Sequence, residues 1–403
     1  MPSTMQGRKI LFGVTGSIAV FKAAGWVSSL VKEEARVTVM MTESATRFVT
    51  PLTFGALSGN QVYTDMFSTG AEEMMAHITL SGDADAILIA PATAQTLARL
   101  AHGMADNLLA AAVLAAAAPV VVCPAMNAKM LAHPATQKNI STLKKLGYII
   151  VEPECGSLAC GEVGSGRLAE WDTVRETLLG LFVAQDLAGQ HVLITAGPTR
   201  EALDPARYLS NRSSGKMGYA LARTARRRGA EVTLISGPTN LPAPPGVTMV
   251  SVQTAAEMAR AVNEHADHAS IIIKAAAVAD FKPKKVASLK IKKAGADLQL
   301  ELEPNQDILA TLGKERKSGQ LLVGFAAESN NHEAEGRRKL QTKKADLIVV
   351  NDILGKKSGF DVGTNQVTLI TRDDTEQLAL LSKEETANCI WNKIMTLKKV
   401  ERG

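Results

Sequence analysis

An α/β fold with two doubly wound domains is what this sequence predicts, and three observations carry the prediction. Short apolar, β-branched runs alternate with helical patterns along the whole chain. Strands separated by helices of about 10 or more residues call for right-handed βαβ crossovers and a parallel sheet with helices on both faces. The pattern also starts twice: a strand enters a Gly/Thr/Ser turn at Lys9–Ser17, and another enters a Gly-rich turn at His191–Thr199. Finally, 403 residues suffice for two separate cores.

In the first half the strands are Lys9–Val14, Val37–Met41, Ala86–Ala90, Val120–Cys123 and Tyr148–Val151. A helix with apolar Ile18, Phe21, Val27 and Leu30 follows the first of them. The apolar stretch from Leu108 to Cys123 is interrupted by Pro119 and falls short of the roughly 20 residues that span a bilayer. It reads as an Ala-rich buried helix ending before Pro119, then the strand Val120–Val122. A helical segment, Trp171–Val183, closes this half, and the boundary near Ala184–Gln190 gives domains over 1–188 and 189–403. The second half offers strands at His191–Thr195, Val232–Ile235, Thr248–Val252, Ser270–Lys274, Leu321–Phe325 and Leu347–Val350.

Composition narrows the function. An apolar fraction of 46% with 21% charged residues is ordinary for a globular protein. The N-terminus, MPSTMQGRKILF, has no apolar signal-peptide core, so neither secretion nor membrane association is expected. Cys123, Cys155, Cys160 and Cys389 are too few and scattered for a disulfide framework, and one C-x4-C pair does not make a zinc site. A reducing, cytoplasmic compartment is expected. Net charge is +5, and lysines concentrate at Lys282, Lys284, Lys285, Lys290, Lys292 and Lys293. With only 4% aromatics and none interleaved after Phe281, the cluster lacks the stacking partners of a nucleic-acid surface. It serves either a phosphate-bearing small molecule or nothing beyond solvation.

Familiar motifs fail. Ser210–Lys216 lacks the leading Gly of a Walker A loop, and Met217 follows its Lys; neither half has G-x-G-x-x-G spacing. His332-Glu333 has no second zincin histidine, and no hydrolase G-x-S-x-G elbow is present. A strand entering a small-residue turn at a helix N-terminus is nonetheless a natural anion site, because free backbone N–H groups and the helix dipole face the ligand. Three residues stand out in the first half: His77 before a Gly-Asp turn, Asn127 at a strand's carboxyl end, and Cys160 in a Gly-rich loop. Alone, His77 reads as a buried helix-end histidine and Asn127 as a turn residue. Cys160 is harder to assign to packing, since structural cysteines prefer apolar burial.

The order of motifs is more specific. Gly13-Val-Thr-Gly-Ser-Ile-Ala, Met41-Thr-Glu-Ser-Ala, the His77 segment, Ala90-Pro-Ala-Thr-Ala, Gly103-Met-Ala-Asp-Asn-Leu-Leu, Pro124-Ala-Met-Asn and the Gly156–Arg167 loop follow one another as in flavin-dependent cysteine decarboxylases. In the second half, Thr195–Gly218, Ala275–Asp280, Leu289–Lys293, Asn305–Ile308 and Gly324–Glu328 resemble phosphopantothenate–cysteine ligases. Over nearly its whole length the chain resembles the bacterial bifunctional phosphopantothenoylcysteine decarboxylase/phosphopantothenate–cysteine ligase family of coenzyme A biosynthesis.

The resemblance implies a flavodoxin-like flavoprotein domain followed by a ligase domain, both Rossmann-like. It implies FMN around Gly16, Ser17, Thr42, Ser44, Pro91, Ala92, Thr93 and Ala94. His77 would be the base or proton relay, Asn127 would hold the substrate carboxylate, and Cys160 would protonate the enethiolate. FMN would provide the electron sink that a cysteine carboxylate lacks when it loses CO2. In the ligase half the resemblance implies CTP, Mg2+ and an acyl cytidylate, with Lys290, Asn211 and Arg207 in the chemistry. The nucleotide site would comprise Ala275, Ala276, Asp280, Gln306, Asp307, Ile308, Phe325, Lys339 and Lys343, with Asp280 toward the metal. The substrates would be 4'-phosphopantothenate, cysteine and CTP, and the assembly a homo-oligomer with trimeric decarboxylase and dimeric ligase contacts, combining into a dodecamer. Two readings compete: a single-function FMN cysteine decarboxylase with a non-catalytic oligomerising C-terminal domain, and, more distantly, a two-domain nucleotide-binding regulator whose basic loop binds nucleic acid.

Overall fold

The computed structural model describes residues 4–67, 75–157, 161–292, 299–328, 331–352 and 362–400. The chain divides into two compact units, Ser3–Val183 and Ala184–Gly403.

The first unit is built on six strands: β1 (Lys9–Val14), β2 (Arg36–Met41), β3 (Val62–Tyr63), β4 (Ala86–Ala92), β5 (Val120–Pro124) and β6 (Ile149–Ile150). All pair in parallel, in the order β3-β2-β1-β4-β5-β6. A separate antiparallel hairpin, β7 (Glu154–Ser157) and β8 (Val163–Arg167), follows. The helices are α1 (Val20–Lys32), α2 (Glu43–Thr46), α3 (Pro51–Ser58), α4 (Ala76–Gly82), α5 (Ala94–Ala101), α6 (Leu108–Ala115), α7 (Ala128–Ala132), α8 (Pro134–Lys145) and α9 (Trp171–Leu181).

Side chains alternate across a strand, so each strand feeds two cores. Ile10, Phe12 and Val14 pack with Trp26, Val27 and Leu30 of α1 and Leu178 of α9 on one face. Leu11, Ile87 and Ile89 pack with Leu97, Leu109 and Leu143 of α5, α6 and α8 on the other. Burying each such side chain stabilises the fold by about 1.5–3 kcal/mol. One expectation is overturned: Ile18 and Phe21 do not join the buried stripe but are 57% and 64% exposed. The helix starts only at Val20, so Ile18 lies in the preceding turn. The stripe runs Val20, Ala23, Val27 and Leu30, which turns Phe21 away from the sheet.

The second unit repeats the plan. Its strands are β9 (His191–Ala196), β10 (Arg200–Asp204), β11 (Arg207–Ser210), β12 (Glu231–Ser236), β13 (Thr248–Ser251), β14 (Ile271–Lys274) and β15 (Phe281–Pro283). They continue as β16 (Leu302–Pro304), β17 (Leu321–Glu328), β18 (Leu347–Asp352), β19 (Thr364–Asn365), β20 (Val367–Ile370), β21 (Thr375–Gln377) and β22 (Leu381–Ser382). The main sheet runs β13-β12-β9-β14-β17-β18-β20-β21, parallel except for β20 and β21. β10–β11, β15–β16 and β19–β22 form small antiparallel pairs. Helices α10 (Lys216–Arg227), α11 (Ala255–Ala266), α12 (Ile308–Glu315), α13 (His332–Thr342) and α14 (Lys383–Val400) cover the faces. Trp391 of α14 is fully buried, with its indole N–H donating to Leu221 O and Thr224 Oγ1, both at 3.1 Å. An apolar ring with a satisfied polar tip suits such a core position.

Both sheets therefore reverse direction between their first and fourth parallel strands, β1/β4 and β9/β14. A crevice outside the carboxyl ends of the strands is expected there.

Candidate functional sites at the two switch points

In the first unit a cleft of about 540 Å³ opens at this position. Gly16, Thr42, Ser44, Thr93 and Ala94 line it, as do Thr15, Arg99, Asp106 and Asn107. Thr15, 1% exposed, donates its hydroxyl to Pro91 O at 2.6 Å and accepts from Thr93 N at 3.1 Å, so it ties the β1 turn to the β4 turn. Thr93 caps α5 by accepting from Thr96 N, and Asn107 caps α6 by accepting from Ala110 N. Gly16 is required by contact: a Cβ there would lie 2.5 Å from Ser44 Cβ. Pro91 and Ala92 are buried in the strand and Ser17 is half-buried in the turn; none of the three lines the cleft.

Thr42 Oγ1 is a buried oxygen with no hydrogen-bond partner among the described residues. A buried hydroxyl without a partner is costly, so a cleft-lining orphan is a place for a ligand to complete. Arg99 grips Asp106 through Nε at 2.8 and 3.1 Å, and this hydrogen bond holds the Asp106 carboxyl below its ordinary range. The α1 N-cap, Ala19, supplies no side-chain acceptor to the first turn.

Asn127 lies beside this region, as the cap of α7. Its Oδ1 accepts from Lys129 N at 2.8 Å, and its Nδ2 donates to Glu162 Oε2 at 3.0 Å. The β7–β8 hairpin docks on the same turn: Met126 N donates to Gly166 O at 3.0 Å. Gly166 has φ +141, and a Cβ there would meet Met126 O at 2.1 Å, so only glycine permits this approach. The fold thus brings together two motifs far apart in sequence, Pro124–Asn127 and Gly156–Arg167. Cys160 lies outside the described residues. His77 is half-buried on α4, which packs against α6, whose start lines the cleft.

A second cleft, of about 620 Å³, opens at the β9/β14 switch point. Asn211, Ala275, Ala276, Asp280, Phe325 and Lys339 line it together with Arg212, Lys216, Lys274, Asn351 and Lys383. Asn211 donates Nδ2 to Ala277 O at 3.3 Å and Val278 O at 3.0 Å, which fastens the end of β11 to the cleft floor. Asn351 Oδ1 is a second buried oxygen with no partner among the described residues. Lys274 donates to Ala276 O at 3.2 Å, and burial pushes its ammonium down to about 8, against the opposing pull of Asp307 and Asp280.

Other expected residues do not line this cleft. Asp307 caps α12 by accepting from Ala310 N and pairs with Lys343 at 2.6 Å. Burial opposes ionisation of Asp307, but Lys343 and the Ala310 amide hold it below the ordinary carboxylate range. Ile308 is 3% exposed in the core, and Gln306 donates to Thr311 Oγ1. Arg207 faces Asp204 at 3.7 Å. Lys290 is exposed in a loop pinned next door, where Ile291 N donates to Asp204 Oδ2 at 3.1 Å. Lys282 and Lys284 of the lysine cluster pair with Glu303 and Glu301, while Lys293 lies outside the described residues. Among the described residues no group of three or more His, Cys, Asp or Glu is placed to hold a metal. None of their helices is long and apolar enough to cross a membrane.

The Flavoprotein family model matches residues 1–183, and the model described as DNA/pantothenate metabolism flavoprotein C-terminal domain matches residues 187–397. The coenzyme A biosynthesis bifunctional protein CoaBC of Bacillus subtilis (strain 168) is 47% identical over 98% of this chain and 98% of its own length. The chain belongs to the coenzyme A biosynthesis bifunctional protein family. The Escherichia coli (strain K12) member is 43% identical over 98% of each chain. A solved structure of the FMN-dependent cysteine decarboxylase SpaF is 33% identical, covering 45% of this chain and 100% of that one with a TM-score of 0.39.

In this family member, sequence reasoning passed over Thr15, Arg99 and Asp106 in the first cleft and Lys274 and Asn351 in the second. Asp106 stood inside the quoted Gly103–Leu109 motif, Lys274 ends the strand before the quoted Ala275–Asp280 motif, and Asn351 follows the expected strand Leu347–Val350. Position at a strand's carboxyl end was the signal available for these last two.

Proposed function

We propose that this bifunctional enzyme joins 4'-phosphopantothenate to cysteine with CTP in its second unit and decarboxylates the product with FMN in its first. It is a ligase and an FMN decarboxylase acting in coenzyme A synthesis. The observation that carries the two-site reading is the pair of clefts at equivalent switch points, each holding one buried oxygen without a partner.

The first cleft fits a flavin mononucleotide. Thr42, Ser44, Thr93 and Asn107 give it a polar wall, and the Gly16–Ser17 turn leads into a helix N-terminus without a side-chain cap, which suits the phosphate. Arg99 is neutralised by Asp106, so hydroxyls and amides rather than a free cation would hold the cofactor. When bound, the flavin supplies a reversible two-electron acceptor next to the substrate's sulfur-bearing carbon. Asn127 orients the substrate carboxylate through its amide N–H. Cys160 returns a proton to the enethiolate carbon, and His77 relays the proton that leaves the thiol.

The second cleft suits a polyanion, because Arg212, Lys216, Lys274, Lys339 and Lys383 outnumber Asp280 among its charged lining residues. Phe325 offers a face for a base. Mg2+ would rest on Asp280 and the nucleotide's own phosphate oxygens, the usual arrangement for this ion. Asn211 bridges the hairpin to the floor where the carboxylate must meet the nucleotide's α-phosphorus. Displacement of pyrophosphate gives the acyl cytidylate, and the amine of cysteine then displaces CMP. Lys290 reaches the phosphates from the adjoining loop and Arg207 from the hairpin. The chain acts in the cytoplasm, where free Cys123, Cys155 and Cys389 stay reduced.

The test is a coupled assay on the purified full chain. Phosphopantothenate, cysteine and CTP should release pyrophosphate and then CO2, from a protein with a flavin spectrum. CMP release that does not require cysteine, or a colourless protein, would sink the reading.

A further inference from the structure

Asp204 ends β10 with a carboxylate that is fully buried and joins two segments far apart in sequence. Its Oδ1 accepts from Ala206 N at 2.7 Å and from Arg207 N at 2.8 Å, which shapes the turn into β11. Its Oδ2 accepts from Ile291 N at 3.1 Å. One residue earlier, Leu203 O accepts from Ala287 N at 3.0 Å. The chain at Leu203 and Asp204 thus holds both ends of a short bridge, Ala287 and Ile291. Between them stand exposed Leu289 and Lys290.

A carboxylate taken out of water is kept only where hydrogen bonds replace its hydration. Burial opposes ionisation of Asp204, but the Ala206, Ile291 and Arg207 amides hold it below the ordinary carboxylate range, so it is charged at neutral pH. Hydrogen bonds to a charged acceptor are the stronger kind. Two of the three shape the turn, and an asparagine would make those equally well. Only the bond to Ile291 needs a second acceptor oxygen, because an asparagine would set its Nδ2 against Ile291 N, donor facing donor. Arg207 Nη1 stands 3.7 Å from Oδ2, beyond hydrogen-bond reach, on a side chain 44% exposed. An aspartate rather than an asparagine here therefore serves the lysine loop and not the hairpin turn.

We infer that Asp204 is a positioning residue for ligation: through Ile291 it sets the loop from which Lys290 reaches the nucleotide phosphates. The inference rests on the role given to Lys290 above. Asp204 itself touches no substrate. Misplacing a reacting group by about 1 Å costs on the order of 100-fold in rate, so a tether one residue from Lys290 bears on the chemistry without joining it.

The test is a double-mutant cycle on the full chain, reading pyrophosphate release from phosphopantothenate and CTP in a single turnover without cysteine. Asp204→Asn keeps both turn bonds and removes the one to Ile291. It should slow release roughly 10- to 150-fold, the range for a hydrogen bond to a charged group. Lys290→Gln should slow release too. The double variant should be no slower than Lys290→Gln, because the tether then has no ammonium left to position. Combined with Arg207→Ala instead, Asp204→Asn should be additive. A thermal melt reports whether each variant is folded, and hydrogen exchange should show that Asp204→Asn exposes the Ile291 amide but not that of Ala287. Additive losses for the Lys290 pair in folded protein, coupling to Arg207 instead, or an Ile291 amide that stays protected overturns the inference and leaves the Lys290 reading intact. Parental release from Lys290→Gln overturns that reading and the inference with it. If Asp204→Asn does not fold, Ile291→Pro removes the same bond from the donor side and must meet the same coupling criteria.

Discussion

Asn127 spends an amide N–H on the carboxylate of Glu162, 3.0 Å away across the turn where the glycine hairpin docks. Glu162 also pairs with Lys129 at 3.3 Å, so one carboxylate on the hairpin is held by two groups of the Asn127 turn. A substrate carboxylate seeking the Asn127 donor meets a protein carboxylate already there.

That relationship makes Asn127→Asp an informative change. Aspartate caps a helix as well as asparagine, so the Oδ1 bond to Lys129 N and the start of α7 should survive. The donor, however, becomes an acceptor facing Glu162 and any bound carboxylate. Losing a hydrogen bond to a charged group costs about 1.5–3 kcal/mol. CO2 release from supplied phosphopantothenoylcysteine should therefore fall at least about 10- to 150-fold in kcat/KM, with the flavin spectrum unchanged. Unimpaired decarboxylation would remove Asn127 from the substrate site.

Thr42 offers a separate check on the flavin cleft. Its hydroxyl has no partner among the described residues, so Thr42→Val removes no hydrogen bond seen there. Flavin-free protein should be as stable as the parent or slightly more so. Flavin affinity should fall about 2- to 12-fold, the equivalent of one hydrogen bond worth roughly 0.5–1.5 kcal/mol. Fluorescence titration of the flavin-free protein measures it; tighter binding would mean that the hydroxyl does not face the cofactor.

The main strands were legible because buried parallel strands are near-continuous apolar runs, as in Ala86–Ala90 and Leu347–Val350. β3 was not legible: two residues, Val62 and Tyr63, leave no period to detect. β15 and β16 were hidden by Pro283, Pro304 and alternating charges, whose cross-strand pairing appears only in the fold. The sites divide in the same way. Asn211, Asp280 and Phe325 meet in one cleft because the strand order brings their loops together. Lys274 looked like the polar end of an isoleucine run, and only the fold sets it among the charged residues that line the second cleft.

Asp186 and Arg228 give a prediction about stability and pH. Arg228 is 5% exposed and grips both Asp186 oxygens, through Nε at 2.8 Å to Oδ1 and through Nη2 to Oδ2. That grip holds the Asp186 carboxyl below its ordinary value of 3.8. Stripping the partner from a buried charge costs about 3–5 kcal/mol. The Asp186 side chain is 38% exposed, so solvent screening reduces the loss in Asp186→Asn to about 1–2 kcal/mol. Because the folded carboxyl titrates below the unfolded one, the stabilisation is present above pH 3.8 and disappears as pH falls through the folded value. Urea midpoints of parent and variant should differ at pH 6 and converge toward pH 3. A gap that widens on acidification would contradict this.

The division of labour between the units yields the last prediction. Asn211 fastens β11 to Ala277 and Val278 at the ligase cleft, whereas position 160 falls within the other unit's part of the chain. Each unit has its own hydrophobic core and its own site, so the two half-reactions are expected to be blocked separately. Asn211→Ala should lose pyrophosphate-coupled ligation while still releasing CO2 from supplied phosphopantothenoylcysteine. Cys160→Ala should ligate and lose CO2 but stop at the unsaturated enethiol, because the final carbon lacks its proton donor. Loss of a positioned acid is worth roughly 100- to 10,000-fold in rate. Mass spectrometry of the coupled reaction distinguishes the two arrests, since the enethiol is two hydrogens lighter than the thiol product. If either variant stopped both half-reactions, the two sites would not be independent.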